Sequence, residues 1–266
     1  MVVNLIQLTP SADDSVIAEI RAAMDKDGYV ILRGLLPADA SRRYGEAMIK
    51  EYERLTAAGW TFTGGGHLEG HLNINPGREG AELVAAEKAA DLSGLISRIV
   101  GEPMHLTAMA GNLAMAGSHA QNFHADSNRA EETWVANITL VPTSKANGAM
   151  ELIAGTRDIG DSYAKFRKAR LESQGHQPTM EPGDILLRLS TIWHRGTVNP
   201  SNAPRPMGMF AYRPVSQGAP TFTIRDEPLT IRSNRYYGKF AGMREFAAIR
   251  VRPVYELLRV AVSMGR

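Results

Sequence analysis

Gln121-Asn122-Phe123-His124-Ala125-Asp126 is the stretch on which the reading of this chain turns. In an extended strand, residues i and i+2 point to the same face, about 7 Å apart along the chain. His124 and Asp126 would then aim an imidazole nitrogen and a carboxylate oxygen at one point in space. They are two members of a 2-His-1-carboxylate facial triad, the set that holds non-haem Fe(II) on one face and leaves the opposite positions open. The pair alone is weak: with 7 His and 28 acidic residues, about one His-x-Asp/Glu is expected by chance. The second histidine and a group for the open positions must come from elsewhere in the chain.

Downstream, Asp184-Ile185-Leu186-Leu187-Arg188-Leu189-Ser190-Thr191-Ile192-Trp193-His194 reads as a strand that closes on a histidine just before the turn Arg195-Gly196. A strand end fixes a ligand's position while the neighbouring turn leaves room around it. Arg205 opens the next strand, Arg205 to Tyr212, and a hairpin over Thr197 to Pro204 brings it beside His194. A guanidinium there can pair bidentately with a carboxylate inside an apolar pocket. Counting back by twos from His194 puts Arg188 on the same face, so either Arg188 enters the pocket or a bulge resets the phase.

The composition suits a globular protein. Apolar residues make up 44% and charged residues 22% of 266, with a net charge of +2, which argues against a nucleic-acid footprint. The absence of cysteine excludes disulfides, Fe–S clusters, Cys-ligated zinc and a thiol nucleophile. Met1 to Ser15 lacks signal-peptide character, and no apolar run approaches the 18 or so residues that span a bilayer. A soluble, cytoplasmic protein with no membrane partner is expected.

Ser11 or Asp13 caps a predicted helix through about Lys26, with Ile17, Ile20, Ala23 and Met24 as its apolar stripe, and Gly28 stops it. Tyr29 to Gly34 reads as a buried strand, and Leu35-Leu36-Pro37 opens a helix to about Ala57. Gly64 to Gly77 has the glycine, asparagine and proline density of a loop. One helix is expected from Glu79 to Val100. Short strands then follow: Met104–Ala116, Asn122–Asp126, Thr133–Val141, Ala149–Ile153, Asp184–His194 and Arg205–Tyr212. A charged helical interruption lies at Asp161–Gly175, and helical spacing returns over 235–263. The expected architecture is mainly β with flanking helices (α+β), an antiparallel barrel or sandwich with helical support. A single domain, 1–266, would contain a helical entry (about 1–100), a barrel core (about 104–215) and a C-terminal helical segment (about 235–263) packed on the barrel or forming a homodimer.

His124-x-Asp126, His194 and Arg205 in this order resemble the phytanoyl-CoA dioxygenase (PhyH)-like family of Fe(II)/2-oxoglutarate oxygenases. Asp27-Gly28-Tyr29-Val30-Ile31, Asn147 to Thr156 and Pro182-Gly183-Asp184 carry further similarity. The resemblance implies a double-stranded β-helix, a cupin-like jelly-roll barrel. It also implies Fe(II) on His124, Asp126 and His194, and Arg205 on the distal carboxylate of 2-oxoglutarate. O₂ would oxidise a small-molecule substrate, with release of succinate and CO₂. Related halogenases have a small residue in place of the carboxylate, so Asp126 implies hydroxylation, epimerisation, cyclisation or desaturation, in specialised (secondary) metabolism. Members often carry Ser or Thr where this chain has Gly196, leaving Thr197 or Thr139 to substitute. Ala154-Gly155-Thr156-Arg157 stands where a Pro-Gly-Ser-His ending is common.

Gln121 and Asn112 are candidates to bond the 2-oxoglutarate C1 carboxylate or to orient a ligand. His67-Leu68-Glu69-Gly70-His71 alternates two imidazoles and a carboxylate, but its order is not His-Glu-x-x-His and its glycines disfavour a rigid element. It is read as a loop, and His67, His71 and Asn73 are the substrate contacts if that loop lines the mouth. The alternative function is a non-oxidative cupin-like isomerase or small-molecule binding protein, which has no need of Arg205.

Overall fold

The computed structural model describes residues 2–3, 13–60, 70–232 and 241–264. His67, with the rest of 61–69, and Ser11 lie outside them. Strand β1 (Val2–Val3) pairs in parallel with a strand at Tyr29–Leu32, β2. Helix α1 (Asp14–Asp27) is capped by Asp13, whose side chain accepts from the Ser15 N–H, and ends at Gly28 in the left-handed region. Strand β2 (Tyr29–Leu32) and helix α2 (Ala38–Ala57) follow.

Two expectations fail in the next stretch. The segment read as loop contains a strand, β3 (His71–Asn75), because its apolar Leu72 and Ile74 alternate with polar residues and pair with β4 (Met104–Ala114). The single helix over 79–100 is two, α3 (Ala81–Ala89) and α4 (Leu92–Val100). Asp91 adopts a left-handed conformation between them, and its carboxylate accepts from Gly94 N–H to start the second.

The remaining elements are β5 (Trp134–Thr139), β6 (Glu151–Leu152), α5 (Tyr163–Ala169), β7 (Ile185–Leu189), β8 (His194–Arg195), β9 (Arg205–Pro214), β10 (Thr230–Arg232), α6 (Ala241–Arg250) and α7 (Arg252–Met264). An eight-stranded sheet runs β1-β2-β7-β5-β9-β4-β3-β10, antiparallel but for the β1–β2 pair. A short second ladder faces it, in which His176, Leu152, His194 and His124 pair in turn. The architecture is α+β with a large antiparallel sheet, and the expected barrel is not closed. The second ladder contributes only two-residue strands and single bridges, which are too short to join the edges of the large sheet.

Alternation divides the large sheet into two chemically different faces. Leu72, Leu113, Pro206, Phe210, Ile138, Ile185, Leu187 and Val30 are buried on one face, against which α1, α2 and α4 pack. Gly45 of α2 lies so close that an added Cβ would meet Pro206 at 3.3 Å. The opposite face carries two adjacent cross-strand rows, His71–Ala114–Arg205 and Asn73–Asn112–Met207–Thr139. A bulge between Leu106 and Ala108 corrects the phase of β4, so that Met104 and Leu106 before it and Met109, Gly111 and Leu113 after it are all buried.

The expected strand Asp184–His194 is also broken. β7 ends at Leu189, a turn follows in which Ile192 N–H bonds Leu189 O, and β8 begins at His194 in the second ladder. The chain crosses from one sheet to the other at Ser190–Trp193, where Ser190 Oγ accepts from Thr133 N–H and Trp193 N–H bonds Thr156 Oγ1. Trp193 stacks on Phe166 of α5 at 4.0 Å between ring centroids, behind the second ladder. α7 packs on α5, with the Arg259 guanidinium 3.9 Å from the Tyr163 ring centre and Ser263 Oγ accepting from Ala164 N–H.

Candidate active site

The second ladder gathers the two histidines. His124 and His194 are bridge partners, each backbone N–H bonding the other's carbonyl at 2.9 Å, and their rings lie 4.5 Å apart. Each Nδ1–H donates to a carbonyl two residues back, His124 to Asn122 O at 2.9 Å and His194 to Ile192 O at 2.8 Å. These bonds fix the tautomer and leave both Nε2 lone pairs free. Asp126 N–H is held by Ser190 O, and its Oδ1 lies 3.7 Å from His124 Nε2 and 3.6 Å from His194 Nε2. One ligand atom from each of the three side chains falls within 4.8 Å of the others. Two imidazoles and one carboxylate converging on one point is the donor set that suits Fe(II).

The electrostatics keep Asp126 and His194 in ligand form. Burial alone would raise the Asp126 pKa, but Arg188 and then the two histidines outweigh it and hold the carboxyl well below its usual range. Burial first, then Arg188, pushes His194 down to about 3, so its imidazole is neutral. Arg188 Nη2 donates to Asp126 Oδ2 at 2.7 Å and Nε to Asn137 Oδ1 at 2.9 Å. Of the two sequence alternatives, Arg188 enters the site, and the turn after Leu189 removes the need for a bulge. Asn137 had no sequence signal beyond being polar in a buried strand. For Arg188, the signal was a lone guanidinium within Ile185-Leu186-Leu187-Arg188-Leu189.

Arg205 opens β9 on the same face of the large sheet, 2% exposed. Its Nη2 donates to Gly148 O at 3.0 Å, whereas its Nε is buried without a hydrogen-bond partner. Burial, with no neighbouring carboxylate to offset it, draws its pKa down to about 10. A buried cation short of an acceptor asks for an anion. Arg205 lines a small cavity with Thr139, Asn137, Thr143, Met180 and Met207. The chemistry of this pocket fits a carboxylate.

Thr139 thus faces the Arg205 cavity, while Thr197 is engaged elsewhere, donating to Ala149 O and accepting from Gln177 Nε2, each at 2.9 Å. Gly196 is required by its neighbours. A Cβ there would meet His71 Cε1 at 2.5 Å and Gln121 Oε1 at 2.9 Å. Gln121 accepts from the Gly196 N–H at 2.9 Å. His71 is no mouth residue: it is 2% exposed, its Nε2–H donates to His119 O at 2.9 Å, and Asn112 bonds its ring. Burial and then Arg205 lower its pKa to about 4. Asn73 lies opposite Asn112 in the next strand, partly exposed.

The phytanoyl-CoA dioxygenase (PhyH) family model matches residues 24–207, a span that includes the triad and Arg205. The chain belongs to the phytanoyl-CoA dioxygenase family. As a member whose site gathers a metal-competent His-Asp-His cluster, it is a non-haem iron, 2-oxoglutarate-dependent oxygenase. No curated protein matched the sequence. Among solved structures, the epimerase SnoN in complex with Fe3+, alpha ketoglutarate and nogalamycin RO is 18% identical with a TM-score of 0.60, over 76% of this chain and 85% of that one. The non-heme alpha ketoglutarate-dependent carbocyclase SnoK is 16% identical with a TM-score of 0.57, over 80% and 95%. EctD from S. alaskensis is 17% identical with a TM-score of 0.57, over 75% and 77%. At such identities the likeness is one of fold.

Proposed function

We propose that this PhyH-family oxygenase binds Fe(II) through His124 Nε2, Asp126 Oδ1 and His194 Nε2, and anchors the distal carboxylate of 2-oxoglutarate on Arg205. Thr139, Gln121, Asn112 and His71 complete the surroundings of the co-substrate. The observation that carries the reading is Arg205: a buried guanidinium with an unpartnered Nε, on the sheet face beside the metal-competent cluster. When bound, iron and 2-oxoglutarate supply O₂ activation coupled to loss of CO₂ and formation of succinate. The chain supplies placement and charge. The Nδ1 bonds aim both imidazoles, the ion pair with Arg188 keeps Asp126 ionised, and the buried sheet face excludes water around Arg205.

The substrate belongs to small-molecule metabolism, with hydroxylation, epimerisation, cyclisation or desaturation as the outcome. SnoN and SnoK, an epimerase and a carbocyclase of this fold, give the non-hydroxylating outcomes weight. The two facing ladders are read as a jelly-roll core in double-stranded β-helix order. Leu257, Leu258 and Val262 of α7 are exposed, which supports self-association through that helix; light scattering in solution tests it. No helix among the described residues is long and apolar enough to cross a membrane, and a cytoplasmic location is part of the proposal.

The deciding experiment is succinate release from 2-oxoglutarate over a chemically diverse metabolite panel, with Fe(II) and O₂ each withheld in turn. Turnover should require both and should vanish in His194→Ala. Turnover that survives in that variant would refute the ligand assignment.

A further inference from the structure

Arg188 is a charged residue within a strand whose five members, Ile185 to Leu189, are all buried. A guanidinium in such a place is costly unless its charge is paired and its donors are used. Both conditions hold, and the way they hold divides one carboxylate. Asp126 Oδ2 accepts from Arg188 Nη2 at 2.7 Å, while Oδ1 faces the two Nε2 atoms at 3.7 and 3.6 Å. The guanidinium cannot easily swing away. β7 is an interior strand with Arg188 in register between Tyr29 and Val135, and Asn137 of β5 holds its Nε at 2.9 Å. Asp126 itself is less constrained, its side chain being 38% exposed.

We propose that Arg188 is a positioning residue that restricts Asp126 to one ligand oxygen. The inference rests on the metal-centre reading above. A carboxylate bound through one oxygen, with two imidazoles, takes three positions on a six-coordinate ion and leaves three for a chelating co-substrate and O₂. With Oδ2 released, Asp126 can bind through both oxygens and occupy a position the co-substrate needs. Arg188 therefore acts on the metal's open face without touching the metal.

The test uses the full chain loaded with Co(II) or Fe(II) under anaerobic conditions, comparing wild type with Arg188→Met and Arg188→Lys. 2-Oxoglutarate affinity, measured by calorimetry, should fall about 10–100-fold in R188M, while metal affinity falls by less. The Co(II) absorption spectrum should change shape as the carboxylate changes its mode of binding. R188K keeps a charge and a donor and should lie between. A purely structural arginine predicts a lower melting temperature with an unchanged Co(II) spectrum and unchanged 2-oxoglutarate affinity, and that result overturns the proposal. If R188M does not fold, Asn137→Ala keeps the ion pair but frees Nε. It should show the same spectral change in weaker form, and a wild-type Co(II) spectrum there likewise overturns the proposal. Failure of the wild-type protein to bind metal at all would remove the metal-centre reading and this inference with it, an outcome separable from failure in the variants alone.

Discussion

Replacing Arg205 with methionine should raise the stability of the ligand-free protein while removing its response to 2-oxoglutarate. Methionine keeps much of the arginine stem's volume and discards the charge. Arg205 is 2% exposed, and burial lowers its pKa from the ordinary guanidinium range to about 10. Because the folded value lies below the unfolded one, the fold disfavours the charged form. That cost is complete below pH 10 and fades only as pH rises above 10 towards the unfolded value. At neutral pH it amounts to about 3 kcal/mol. Against it stands the loss of the bond to Gly148 O, about 1.5 kcal/mol. The net gain, about 1–2 kcal/mol, corresponds to roughly 2–6 °C in Tm for a chain of this size. In the wild type, 2-oxoglutarate at a hundred times its Kd should add about 2.7 kcal/mol. In the variant, losing one partner of a buried charge pair costs about 2–5 kcal/mol of affinity, so that increment disappears. Thermal melting of metal-loaded, anaerobic protein with and without 2-oxoglutarate reads both effects. An R205M protein that melts well below wild type without ligand, or that keeps the ligand-induced shift, would refute the view of Arg205 as an anion site held at the expense of stability.

Three further predictions concern the surroundings. His71 is held neutral with a pKa near 4 against an ordinary 6.5, so its share of stability is whole above pH 6.5 and drains away as pH falls towards 4. Urea unfolding of metal-free protein should show about 2–3 kcal/mol of that loss by pH 4.5, and His71→Gln should lack it; parallel pH slopes in the two proteins would argue against the assignment. Gly196→Ala places a Cβ 2.5 Å from His71 Cε1 and should cost about 1–3 kcal/mol, read by melting, along with weaker 2-oxoglutarate binding; a neutral substitution would mean that His71 and Gln121 yield readily. Asp184 accepts from Gly34 N–H and Glu181 N–H, both at 2.8 Å, and pairs with Arg33. Asp184→Ala should therefore cost about 2–4 kcal/mol without altering metal affinity, and a loss of metal binding in folded protein would contradict this purely architectural role.

Local pattern was enough for the sequence to specify the chemistry. His124 and Asp126 are two residues apart, and alternation brings their ligand atoms together; the hairpin expected to set Arg205 beside His194 does not form, because β8 pairs with β6 in the second ladder while β9 lies between β4 and β5 in the large sheet. Asp13 and Gly28 mark the ends of α1 because capping is also local. Where the sequence misled, the deciding contacts were distant ones. His71 looked like a member of a glycine-rich loop, yet β4 and β10 flank its strand and the fold buries it beside Gly196, 125 positions away in the chain. A run from Asp184 to His194 that reads as one strand gives no hint of the crossing at Ser190, which exists because two sheets, not one, claim its ends. Arg188 could be placed only by the tertiary structure. Burying a guanidinium is tolerable only where a carboxylate and an amide oxygen arrive from other segments, and Asp126 and Asn137 come from positions 62 and 51 residues away.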